Sequence, residues 1–217
     1  SNMKKQMLSL AATAIAALLS AFDASAYTYT TINGAKLKWP TDSATMRAST
    51  IGFIQGSPNG DALDEALDRW NDNPSEFRFS TIWNDILPVY NNGQNEIWCS
   101  TDDYYLDGAP AVTLVWRSGS QIVETDILVN ADQTFETSHT TSDTYAYGGT
   151  RSMQTVLLHE LGHALGLNHE DSEYNIMGQD WDHINANGDY LHFYPGEDAC
   201  DGAVALYGLD NISREDV

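Results

Sequence analysis

The chain has 217 residues, 42% of them hydrophobic, enough to build a sizeable core without special staples. Its formal net charge is −21, from 31 acidic against 10 basic residues. Phosphate binding needs a basic surface, so nucleic acid and anionic membranes are excluded as partners, and a soluble, mutually repelling monomer is expected.

Residues 1–26 are read as lying outside the fold. Ser1 and Asn2 precede a methionine and read as a cloning scar. Met3-Lys4-Lys5 is a basic start, Met7 to Ala21 is apolar, and Ala24-Ser25-Ala26 is a cleavage site of the A-x-A type. The apolar run is short of the ~20 residues that a membrane span needs. A cleaved export signal is expected, with the mature chain starting at Tyr27, no stable membrane anchor, and an extracellular or periplasmic location. Export favours disulfides. Cys99 and Cys200 are the only cysteines. A bridge between them is therefore expected, closing a loop of about 100 residues worth up to ~4–5 kcal/mol.

Residues 27–217 have an even composition and read as a single domain. Tyr27 to Lys36 is a candidate inhibitory arm or a frayed terminus, within an arm extending to residue 48. Leu37 to Pro40 and Ala48 to Ile54 read as early strands. Leu63, Ala66, Leu67 and Trp70 have helical spacing after Asp61, a candidate N-cap. Phe77, Phe79 and Ile82 are spaced as in a strand, and Glu96 to Cys99 is a short one. Ala111 to Trp116 and Gln121 to Val129 flank Ser118-Gly119-Ser120, a hairpin turn. After a polar segment, helices are expected at Ser152 to Leu167 and Asp198 to Tyr207. Strands mixed with three helices make an α+β or α/β layer.

The chemistry concentrates in His159-Glu160-Leu161-Gly162-His163-Ala164-Leu165-Gly166-Leu167-Asn168-His169. His159 and His163, four apart, share one helix face and can reach a single ion. Gly166 ends the helix in a left-handed turn, which brings His169 back to the same point. Three neutral imidazoles leave one tetrahedral position of a Zn2+ ion open, the pattern of a catalytic site. Glu160 lies beside that position without ligating, placed to act as general base toward a metal-activated water. HExxH alone recurs by chance; the glycine and third histidine at fixed offsets make the pattern specific.

This stretch resembles the HExxHxxGxxH motif of the metzincin zinc peptidases. Asn175-Ile176-Met177-Gly178 is similar to their methionine turn, with Met177 as an apolar floor below the metal. The short distance from His169 to Met177 is similar to that in secreted matrixins, the matrix-metalloproteinase family. Ala62 to Trp70, Glu124 to Asn130 and Ala199 to Leu209 resemble further matrixin elements. The resemblance implies a zincin-like α+β fold: a twisted, mostly parallel five-stranded sheet with helices, and a cleft above a small C-terminal subdomain at residues 170–217. It implies a zinc endopeptidase acting on protein or peptide substrates. The alternative is a catalytically weak, zinc-containing peptide-binding module, and the presence of Glu160 separates the two. Glu170 stands where matrixins usually have Ser, Gly178 supplies no tyrosine ligand, and no cysteine precedes the first helix to enforce latency.

Past the methionine turn, Trp181, Tyr190, Phe193 and Tyr194 either line the pocket beside the scissile bond or pack the subdomain. Acidic loops are candidate structural Ca2+ sites, but Asn185 to Asp189 fails the EF-hand test and reads as a turn. His139, His183 and His192 read as exposed or hydrogen-bonded side chains rather than a second metal site.

Overall fold

A computed structural model describes residues 27–137, 151–171, 175–179 and 194–210. Three two-residue strands open the described residues: β1 (Thr28–Tyr29), β2 (Thr31–Ile32) and β3 (Ala35–Lys36), the last two forming a hairpin. The first long strand, β4 (Ser43–Ser49), starts after the first stretch expected to be a strand and shares only Ala48 and Ser49 with the second. Its buried face is Ala44, Met46 and Ala48, small or flexible residues that give a weak alternation signal.

Helix α1 (Pro58–Asn71) begins before Asp61. Ser57 is the cap: its hydroxyl accepts from Gly60 N at 3.2 Å, and Pro58 fits the first turn, where no N–H is needed. Then follow β5 (Arg78–Asp85), β6 (Asn95–Ser100) and a single-turn helix α2 (Asp103–Leu106) that local periodicity is too short to reveal. Strands β7 (Ala111–Ser118) and β8 (Gln121–Asn130) form the expected hairpin. Short strands β9 (Phe135–Glu136) and β10 (Arg151–Ser152) pair in parallel. Helix α3 (Met153–Leu165), β11 (Leu167–Asn168) and helix α4 (Glu197–Tyr207) complete the described elements. No described helix is long and apolar enough to cross a membrane.

The five long strands form one mixed sheet in the order β5-β4-β6-β8-β7. The β4–β5, β4–β6 and β6–β8 pairings are parallel, and β7 runs antiparallel to β8 at the edge. Alternate residues feed two cores. Met46, Ala48, Ile97, Ile127 and Val129 point to one side, where they share a core with α1 and α3. Trp98 and Leu128 point to the other, with Leu106 and Tyr90.

Helix α3 is apolar on nearly all sides, as a core helix must be. All but one of its 13 residues are buried, and the exception is His163. Its backbone is held through its carbonyls. Trp70 Nε1 donates to Leu158 O at 2.8 Å, Trp39 Nε1 to Ala164 O at 2.8 Å, and the Tyr207 hydroxyl to Leu165 O. The last two are carbonyls that a helix end leaves without partners of its own.

Two expectations change. Tyr27 to Lys36 is not frayed: β1 pairs antiparallel with β11, and Lys36 Nζ reaches Ala205 O at 2.8 Å on α4. No disulfide joins Cys99 to Cys200, so the expected bridge does not form. Cys99 sits on the inner strand β6 with its sulfur against the Gly52 turn, and burial pushes its thiol up to about 11. Cys200 lies in α4, which packs on β11. Sequence separation carried no information about that placement.

Candidate metal centre

Ser152 caps α3, its hydroxyl accepting from Thr155 N at 3.3 Å. Two turns later the helix presents His159 and His163. It stops at Gly166, whose φ of 114° is left-handed; a Cβ there would stand 2.9 Å from Leu37 O. Glycine is thus required both by the turn and by the close backbone. Two residues of β11 follow, and His169 comes back over the helix end.

The three Nε2 atoms converge. His163 Nε2 lies 3.1 Å from those of His159 and His169, and the latter two are 3.3 Å apart. The tautomers follow from the opposite ring atoms. His159 Nδ1 donates to Ile176 O at 2.6 Å, and His163 Nδ1 to Leu167 O at 3.0 Å. A carbonyl can only accept, so each Nε2 carries a lone pair. Burial, together with the neighbouring imidazoles for His159 and His169, holds all three histidines below the usual range. Neutral rings with converging lone pairs need a shared cation. A tetrahedral zinc at ~2.0–2.1 Å from each nitrogen sets them ~3.3–3.4 Å apart, so the residues present fit that ion. Among the described residues these are the one set of three metal-ligating side chains close enough to share an ion.

The methionine turn supports this set from below. Asn175 is fully buried, and its Oδ1 accepts from Met177 N at 2.6 Å. Gly178 N returns to Asn175 O at 3.2 Å, and Glu170 N donates to Met177 O at 3.0 Å. The turn therefore carries Ile176 O to His159 and buries Met177 under the helix. Gly162, one of the unspecified positions of HExxH, makes that possible: a Cβ there would stand 2.3 Å from Met177 Sδ. Sequence reading had passed over it.

Glu160 is 5% exposed. Burial pushes its carboxyl up to about 7, against the pull of a hydrogen bond from Thr113. Thr113 Oγ1 lies 2.7 Å from Glu160 Oε2 and 2.9 Å from Glu160 O. This threonine on β7 is the second residue that the sequence did not reveal, since the contact spans 47 positions. The site opens into a cavity of about 490 Å3, lined by Ala111, Thr113 and Val115 of β7 and by Val156, Glu160 and the histidines.

Of the other expected site residues, Tyr194 is half-exposed, and it does not line this cavity. Trp181, Tyr190 and Phe193 lie outside the described residues, as do His139, His183, His192, Asn185 to Asp189, half of residues 170–217 and residues 1–26.

A metal-ligating helix continued through a glycine turn to a third histidine, over a methionine turn and beside a mixed sheet, defines a metzincin-type zincin. The sequence profile of Peptidase_M10, Matrixin, matches residues 46–208, and the chain belongs to the matrixin family. It has the α+β zincin-like fold of that family, whose members are zinc-dependent metallopeptidases acting on protein or peptide substrates. A comparison with curated proteins finds no match.

Proposed function

We propose that this chain is an exported, monomeric zinc endopeptidase in which His159, His163 and His169 hold the ion and Glu160 is the general base. The observation that carries this reading is the convergence of three histidine Nε2 atoms beside a buried carboxylate, in a cavity walled by an edge strand. Zinc bound there supplies Lewis acidity to the scissile carbonyl and to the attacking water. Strand β7, at the edge of the sheet among the described residues, offers that edge for an extended peptide to add as a further strand, which aligns the scissile bond with the helix. Glu160 takes a proton from the water and returns it to the leaving amine. Burial pushes its carboxyl up to about 7 in the metal-free site, and a cation held beside it would favour the charged form. The acidic charge favours substrates other than polyanions. Processing before Tyr27 releases a single domain over residues 27–217.

The test is cleavage of a peptide library by the exported protein. Removing metal with a chelator abolishes cleavage, and zinc restores it. Glu160→Gln keeps its zinc and loses at least ~100-fold in kcat/KM, the scale of positioned acid–base catalysis. A Glu160→Gln variant as fast as the parent overturns the role of Glu160, and zinc-loaded parent that binds peptides without cutting them points to a binding module. Mass spectrometry of the exported protein places its first residue.

A further inference from the structure

We propose that Thr113 is the positioning residue for Glu160, holding its carboxylate in one orientation through the side-chain hydroxyl; this rests on the function proposed above. Strand β7 turns Ala111, Thr113 and Val115 toward α3, in register with Val129, Ile127 and Thr125 of β8. In that row Thr113 places a hydroxyl between two apolar neighbours. A half-buried hydroxyl needs a partner, and a buried carboxylate needs a donor. Each is met by the other at 2.7 Å.

No second side-chain donor to the Glu160 carboxylate is found among the described residues. The bond takes Oε2, and Oε1 carries no hydrogen bond among those residues. One carboxylate oxygen is thereby fixed to the wall of the cleft, and the other is left for the reacting water. Thr113 Oγ1 is also 2.9 Å from Glu160 O, so its single hydrogen has a second acceptor within reach when it is not given to the carboxylate. A hydroxyl is suited to this place because it can donate and accept. It donates to the carboxylate before proton transfer. When Glu160 carries the proton, the hydroxyl can accept from it and turn its own hydrogen to the Glu160 carbonyl. Valine has the same shape and can do neither. An unanchored glutamate side chain spreads over its rotamers, and misplacement by about 1 Å is enough to cost on the order of 100-fold in rate.

The experiment compares Thr113→Val, Thr113→Ser and parent, all zinc-loaded, on one peptide that the parent cleaves. Thr113→Val lowers kcat by roughly 10- to 100-fold, with KM within about twofold and zinc affinity unchanged. Thr113→Ser, which keeps the hydroxyl, restores most of the rate. A Thr113→Val variant with parental kcat overturns the proposal, as does one whose loss lies in KM or follows a fall in zinc affinity. A crystal structure of zinc-loaded Thr113→Val is the second readout. The proposal requires the Glu160 carboxylate to leave its present orientation or to split between several, and an unmoved, single carboxylate overturns it. A parent that cleaves no peptide defeats the proposed function instead, and the crystal structure still decides the role of Thr113.

Discussion

At the scale of single residues, the site depends on a side chain that is missing. Alanine is a better helix former than glycine by about 1 kcal/mol, so helix propensity alone would make Gly162→Ala stabilising. The packing opposes it. The added methyl would lie 2.3 Å from Met177 Sδ and 3.1 Å from Trp70 Cζ2, and Met177 and Trp70 are both buried. Overpacking a filled core costs about 1–3 kcal/mol, so the net change is a loss of up to about 2 kcal/mol. The Met177 side chain would have to repack beneath the turn that carries Ile176 O to His159 Nδ1. Gly162→Ala should therefore lower thermal stability and weaken zinc binding together, measured by denaturation and by competition with a chelator. A variant more stable than the parent would show that the floor under the helix is soft. The ligands themselves were legible because their geometry is local: four residues on a helix, then a glycine turn. Gly162 and Thr113 were not, because what they touch is 15 and 47 positions away along the chain.

At the scale of elements, the outer face of the sheet carries three buried carboxylates, Glu96, Glu124 and Asp126, under the loop that joins β5 to β6. They hold the loop by its backbone. Val89 N donates to Glu96 Oε2 at 3.0 Å, Asn92 N and Gly93 N donate to Glu124 at 2.9 and 2.5 Å, and Asn91 N reaches Asp126 Oδ2 at 3.4 Å. Trp116 Nε1 adds a bond to Asp126 Oδ2 at 2.8 Å. Burial first, then the neighbouring Glu124, pushes the Asp126 carboxyl up to about 7. In the unfolded chain it titrates near ~3.9. Between those values the folded state keeps a proton that the unfolded state has released. Its contribution to stability is therefore full at acid pH and falls as pH rises from ~4 to about 7. Asp126→Asn keeps the acceptor for Trp116 and turns an N–H toward Glu124. The variant should gain on the parent as pH rises from 5 to 8, read as the difference in urea midpoint of the zinc-loaded proteins. A difference that stays flat with pH would mean that Asp126 is charged throughout. The strands Glu96 to Cys99 and Gln121 to Val129 are legible in the sequence but the role of their carboxylates is not, because carboxylates inside a sheet look like a solvated face until the loop above them is known. The start of α1 was misplaced for the opposite reason: Pro58 to Gly60 looks like a turn, yet Ser57 and Pro58 together make a good helix start.

At the scale of the molecule, charge works against the fold that these elements build. The chain has 31 acidic and 10 basic residues, and the described residues form two ion pairs, Glu65–Arg69 on α1 and Arg78–Asp210. The first is a partly buried pair one helical turn apart with N···O at 3.8 Å, the kind worth ~0.3–0.5 kcal/mol on a helix surface. The second, at 2.5 Å, ties the start of β5 to the segment after α4. With 31 acidic against 10 basic residues, the carboxylates outnumber any possible cationic partners, and their self-repulsion destabilises the compact state. Screening shortens the reach of that repulsion from ~30 Å at 0.01 M salt to ~8 Å at 0.15 M. Sodium chloride over this range should raise the melting temperature of the zinc-loaded protein. The Arg78–Asp210 pair acts in the other direction, because salt weakens an attraction as well. Replacing it with Arg78→Met should leave a protein that is less stable but gains more from salt than the parent. A melting temperature that falls with salt in the parent would mean that a few attractive contacts outweigh the summed repulsion of the surface, and that composition was a poor guide to the electrostatics of this fold.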